Sequence, residues 1–107
     1  MPEPTSTVVV NATPIINLAL IGQIDLLRLL YREVIIPPAV RAEVLAGGSS
    51  GVGVIELQTT DWIRTTALHD PRRADLLLTD LDRGEAEVIA LAQELNANLV
   101  IIDERLA

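Results

Sequence analysis

Four side chains, far apart in the chain, carry oxygen donors at places where chemistry could be done: Asn11, Glu43, Glu85 and Asp103. The last two lie near the two ends of the stretch DRGEAEVIALAQELNANLVIIDE, residues 82–104. Val88, Leu91, Ala92 and Leu95 recur at helical spacing, so one stripe of a helix faces a core. Asn96-Ala97-Asn98 breaks that helix. Leu99 to Ile102 is then an unbroken apolar run, the pattern of a parallel strand covered on both faces. Asp103 stands at the carboxyl end of this strand, the edge at which open α/β sheets bind ligands. A helix leading back to a parallel strand starts near the edge where that strand finishes. Glu85, in the first helical turn, is therefore expected near Asp103. Asn11 occupies the matching place after Thr7–Val10. Glu43 lies between Val40 and Val44 on the helix that follows the second strand, and an acid on that side needs a partner.

Carboxylates drawn together repel, and one takes up a proton unless a cation neutralises them. Oxygen ligands without cysteine or a suitable histidine select Mg²⁺ or Mn²⁺ over zinc. Such an ion activates a water and clamps a phosphodiester oxygen. A Ser/His/Asp relay is not available, because His69 is the only histidine and falls in a loop. Each residue also has a local reading. Asp82 and Glu85 fit a capping box. Asp103 and Asn11 fit turn positions. Glu43 fits a helix edge with its stem on apolar surface and its carboxylate in water.

The elements that must position these groups follow from the pattern. Thr7–Val10 is β-branched and too short for a helix. Thr13 as N-cap and Pro14 at the first helical position open a buried helix over Ile15–Ile21, stopped at Gly22. Asp25–Tyr31 is a short helix with Leu26, Leu27 and Leu30 inward. Glu33–Ile36 is a second strand, and Pro37-Pro38 ends it and opens the helix of Val40 and Val44. Gly47–Gly51 is a loop by composition, and no Gly-Lys-Ser/Thr follows it as in a phosphate loop. Val52–Leu57 is a short helix or irregular. Trp62–Thr66 alternates like an edge strand, with Trp62 in packing. His69 is a surface residue, and Asp75–Leu81 is a further short helix. Alternating strands and helices with apolar strands predict an α/β three-layer domain on a mostly parallel four-stranded sheet.

The chain has 107 residues, enough for one small domain, residues 1–107. It is acidic, with 15 Asp plus Glu against 8 Lys plus Arg, a formal charge of −7. A nucleic-acid binder usually has the opposite sign, so either the partner is not nucleic acid or bound cations offset the charge. Trp62 and Tyr31 are the only aromatics, which argues against base-stacking platforms. The absence of cysteine excludes disulfides and thiolate sites. The opening residues lack the pattern of a signal peptide, and no apolar run is long enough to span a membrane. The expectation is a cytoplasmic protein with no membrane partner.

Three stretches, VVVNATPIINLALIGQIDLL, VIIPPAVRAEVLAG and GEAEVIALAQELNANLVIIDERLA, resemble a PIN domain, in the PIN-like subgroup described as predicted nucleic-acid-binding. They cover most of the chain outside residues 47–81. The family carries acids after the first strand, in the helix after the second strand, at the start of the helix before the fourth strand and after that strand. By position these are Asn11, Glu43, Glu85 and Asp103. The 18-residue step from Glu85 to Asp103 agrees with the family. Thr13 matches the small hydroxyl residue that follows the first acid. The resemblance implies a Rossmann-like sheet, Mg²⁺- or Mn²⁺-dependent ribonuclease activity on single-stranded RNA, and the toxin role of a toxin–antitoxin pair. Glu43, Glu85 and Asp103 would be catalytic and would bind the metal with Asn11, supported by Thr13.

Two departures from the family bear on function. Asn11 replaces the first acid and offers a carbonyl without charge. The chain also stops at Ala107, short of the last helix and fifth strand that a typical member carries. An uncovered fourth strand would then favour a homodimer or higher oligomer. The expected function is a metal-dependent ribonuclease domain. The alternative is a catalytically silent PIN-like module that binds an antitoxin or itself. A flavodoxin-like ligand binder at the same edge is disfavoured, because Asn11-Ala12-Thr13 has no glycines to cradle a phosphate.

Overall fold

The computed structural model describes residues 6–47 and 51–102. The elements in order are β1 (Thr7–Val10), α1 (Ala12–Leu20), α2 (Asp25–Leu30), β2 (Glu33–Ile36), α3 (Pro38–Leu45), α4 (Val54–Thr59), β3 (Ile63–Thr65), α5 (Arg72–Asp75), α6 (Arg83–Leu95) and β4 (Leu99–Ile101). The four strands form one sheet in the order β3-β2-β1-β4, and every pairing is parallel. The chain steps outward from β1 to β3 and then crosses back beyond β1 to β4. By the right-handed rule for crossovers between parallel strands, steps in the two directions put helices on opposite faces of a sheet, the three-layer arrangement that the sequence predicts.

The two central strands explain the apolar runs. Val8, Val9 and Val10 of β1 are fully buried, as is Ile36 of β2, with Val34 and Ile35 nearly so. Both faces of these strands are covered, so consecutive residues are apolar. Val8 pairs with Val34 on one side and Leu99 on the other, which fixes the carboxyl ends of β1, β2 and β4 at one edge. β3 is an edge strand, as its polar alternation predicts: Ile63 is buried while Arg64 and Thr65 are exposed. Trp62 packs partly buried against the core, with the Arg28 guanidinium 5.8 Å over its ring.

Several local expectations are corrected. Thr13 is not the N-cap of α1. The helix begins at Ala12, with Asn11 in extended conformation at the cap position and its side chain making no cap bond. The Asn11 N–H is drawn into the sheet, donating to the Ile101 carbonyl at 2.9 Å, and the helix turns off immediately afterwards. Pro14 then falls third in the helix, where a missing N–H still costs no intrahelical bond. α1 is not buried throughout: Ala12 and Ile15 are, whereas Leu20 and Ile21 are exposed. In α2 only Leu27 is buried, and Leu26 and Leu30 face solvent. The helix expected over Asp75–Leu81 is instead α5, followed by turns. β4 is not covered on both faces. It lies at the sheet edge with β1 as its neighbour, and Leu99 and Val100 are 46% and 44% exposed.

α6 is the helix that joins the parts. Val88 and Leu91 enter the main core. Ala86 and Ala90, on another side, meet Ala74 of α5, where small side chains let the helices approach. Leu95, expected on the inward stripe, is 39% exposed. The helix ends at Asn96, which takes the left-handed conformation at φ 54°. Among the described residues, no helix is long and apolar enough to cross a membrane.

Candidate active site

The edge formed by the carboxyl ends of the strands collects side chains from three elements. Asn11, at the end of β1, is 6% exposed. Its Oδ1 is buried and has no hydrogen-bond partner among the described residues. Glu43 comes from α3, whose direction is set by Pro37 and by Pro38 at its first position. Val40 and Val44 bury one side of that helix completely, and Glu43 stands beside them. Asp82 and Glu85 come from the start of α6.

These groups converge on Gly84. A Cβ built there would lie 2.9 Å from Glu43 Oε1, 3.3 Å from Asn11 Oδ1 and 3.6 Å from Asp82 Oδ1. A side chain at Gly84 would push into this ring of oxygens, and the flexible end of Glu43 would be the first to give. The electrostatics agree with the geometry. Glu43 holds its proton more tightly than an ordinary glutamate, first because burial disfavours its charge, then because Asp82 and Glu85 are close. Glu43 is nevertheless exposed as a residue, so its stem does cover the helix edge. The helix-edge reading holds for it, and its carboxylate also reaches the space over Gly84.

The capping box is present. The Asp82 carboxylate accepts from the Glu85 N–H at 2.8 Å, and Glu85 Oε1 accepts from the Asp82 N–H at 3.3 Å. Glu85 thus has a local structural task while adding negative potential at Glu43. On its other side Glu85 lines a cleft of about 230 Å³ with Leu81, Ile89 and Ile102. Thr13 is half-buried in the first turn of α1. Asp103, the remaining expected acid, lies outside the described residues. Among the described residues, no group of three or more His, Cys, Asp or Glu is arranged to hold a metal ion. What converges is two carboxylates and one amide oxygen, with Glu85 beside them. That donor set and its orphaned oxygen suit a hard cation.

Three contributors were not singled out in the sequence for this site. Asp82 reads there only as a cap. Gly84 is hidden inside the helix start, although a glycine so early in a strongly patterned helix signals a close approach. Glu87 accepts from the Ala39 N–H at 3.1 Å and so caps α3 from α6. This bond sets the two helices that carry Glu43 and Asp82 against each other. His69 has no part in the site. It is an exposed loop residue, and its backbone N–H donates to Glu94.

No curated protein and no solved structure gives a significant match to the chain. A family model described as PIN domain matches residues 7–107. With a four-stranded all-parallel sheet and acids drawn to its carboxyl edge, the chain belongs to the PIN domain family.

Proposed function

We propose that this protein is a metal-dependent ribonuclease acting on single-stranded RNA, with Glu43, Glu85 and Asp103 as its catalytic carboxylates and Mg²⁺ or Mn²⁺ as its cofactor. PIN domains generally use divalent metals, and the fold is nuclease-like. The observation that carries the reading is the buried, partnerless Oδ1 of Asn11, which shares the space over Gly84 with oxygens of Glu43 and Asp82. A buried polar atom without a partner is rare and asks for one. A cation is the partner that also relieves the repulsion among the neighbouring acids.

Asn11, Glu43, Glu85 and Asp103 would hold the ion, with Asp82 next to it and Thr13 in support. When bound, such an ion acidifies a water and stabilises charge on the phosphodiester. The residues of the chain supply the rest. Glu87 and the prolines aim α3, so that Glu43 enters from one side. The capping box holds Asp82 and Glu85 in place on the other. Gly84 leaves the space between them open.

The test is calorimetric titration with Mn²⁺ alongside cleavage of a fluorescent single-stranded RNA with and without EDTA. Saturable binding, lost in Glu43→Gln and Asp103→Asn, and EDTA-sensitive cleavage are expected. No binding at millimolar Mn²⁺ overturns the proposal. A second reading is favoured by the neutral side chain at position 11 and by the exposed Leu99 and Val100 of edge strand β4. In it the domain is catalytically silent and acts by associating with an antitoxin protein or with itself. Metal-independent dimers in light scattering, together with no cleavage, would select it.

A further inference from the structure

Asn11 poses a problem that the metal reading alone does not answer. Its carbonyl oxygen is buried without a partner, and it shares the space over Gly84 with oxygens of two acids, Glu43 and Asp82. With no cation present, the negative end of the amide dipole would face negative groups in a place water does not reach. That arrangement is unfavourable twice over: the acceptor is unsatisfied, and the potential around it has the wrong sign.

A carboxamide has a second option that a carboxylate lacks. Its oxygen and nitrogen are nearly the same size, and the nitrogen carries two donors. A half-turn of the Asn11 side chain exchanges them without moving any other atom. The NH₂ group then points into the ring of oxygens around Gly84, where Glu43 Oε1 can accept, and Asp82 Oδ1 can accept a second bond beside the one from the Glu85 N–H. Hydrogen bonds to charged acceptors are the strong kind.

We propose that the Asn11 amide serves as a built-in substitute for the cation, donating its NH₂ to the Glu43 and Asp82 carboxylates when no ion is present and turning its oxygen inward when one arrives. An aspartate at this position would add a fourth negative charge to Glu43, Asp82 and Glu85, and the empty site would repel itself. Asparagine makes the empty site self-satisfied. The fold then stands without metal, and metal affinity is set lower because the ion must displace an internal donor. The first half of the proposal needs only the geometry. The second half rests on the metal reading above.

Two substitutions and one spectrum test it. In EDTA, Asn11→Asp should melt several degrees below the wild type, and Mg²⁺ should restore it with an affinity about tenfold or more above that of the wild type, since ligand charge sets affinity. Asn11→Leu, close in shape and without polar atoms, should also melt lower in EDTA, because Glu43 loses its donor and Asp82 keeps only the Glu85 N–H. In the wild type in EDTA, the Asn11 side-chain NH₂ protons, identified by their absence in Asn11→Leu, should exchange slowly with solvent. If Asn11→Asp does not fold, the Leu variant and the exchange rate decide. The proposal is overturned if Asn11→Leu melts at or above the wild type in EDTA, or if the amide protons exchange at the rate of a free side chain. Those outcomes leave the nuclease reading standing. Conversely, a wild type that binds no ion but shows the protected amide and the destabilised variants removes the nuclease reading and keeps the substitute donor.

Discussion

At the scale of single residues the site is held open by an absence, the missing side chain of Gly84. Alanine there would place a carbon 2.9 Å from Glu43 Oε1, closer than real contacts allow. The obstructing atom is the end of a flexible side chain, so the fold can yield by moving Glu43 outward. Alanine also favours the helix by about 1 kcal/mol over glycine. Gly84→Ala should therefore melt within about 4 °C of the wild type and bind Mn²⁺ about tenfold more weakly, for the loss of roughly 1.4 kcal/mol of ligation. Calorimetry and a thermal melt on the same sample check this. Unchanged affinity would mean that Glu43 does not take part. Asn11 and Glu43 were legible in the sequence because each is a polar residue in an apolar setting. Asp82 and Gly84 were not, because the capping signature accounts for Asp82 completely and a helix pattern does not say what lies opposite its first turn. Glu85 was legible as a capping residue, and its expected approach to Asp103 lies outside the described residues.

At the scale of elements, α6 works as a rack of caps for its neighbours. Glu87 satisfies the start of α3. Glu94 accepts from the backbone N–H groups of His69 and Asp70, at 2.6 and 2.8 Å, and lies 3.6 Å from Arg73 Nε. These bonds, the Asp70 amide first and the His69 amide next, hold the Glu94 carboxyl below its ordinary pKa of 4.5. A depressed carboxylate stabilises the folded state fully above its ordinary pKa. That contribution drains as the pH falls through the ordinary value towards the folded one, where the unfolded chain binds the proton more readily. Glu94→Gln should thus melt below the wild type at pH 7, and the gap should narrow as the pH is lowered through and below the ordinary glutamate range. Melts at a series of pH values check it, and a gap that stays constant would show that the amide loses packing rather than charge. Strands and long helices were legible because burial imposes their periods. Helix starts were less so. Thr13 carries a good capping side chain, yet pairing of β1 with β4 uses the Asn11 amide and begins the helix earlier. No local pattern reveals a bond between residues 90 positions apart. The exposed leucines of α2 failed as inward residues for a related reason: six residues make too short a helix for a periodicity to choose a face.

For the whole molecule the proposed function raises the question of how a chain of formal charge −7 would meet RNA. Every basic residue is arginine, and most of the described arginines are already paired: Arg28 with Asp25, Arg64 with Glu33, Arg72 with Asp70, Arg73 with Glu94 and Arg83 with Asp75. Such exposed pairs are weak, about 0–1 kcal/mol each, so a phosphate could capture one of these arginines. The composition read alone left two readings, a partner that is not nucleic acid or bound cations that offset the charge, and the proposed function takes the second. Where the acids would gather was legible only through the topology, because a parallel sheet brings the strand ends to one edge. Binding to RNA should then depend on the divalent ion much more than on long-range attraction. A protein that contacts 6–10 phosphates through basic side chains loses about 10³–10⁵ in affinity between 50 and 200 mM salt. Here the slope of log affinity against log NaCl, measured by fluorescence anisotropy at saturating Mg²⁺, should correspond to about two phosphate contacts or fewer. Removing Mg²⁺ at constant ionic strength should abolish binding altogether. A steep salt slope that persists in EDTA would place the RNA on a basic surface away from Gly84, and the acids at the strand ends would then have to serve the fold rather than the substrate.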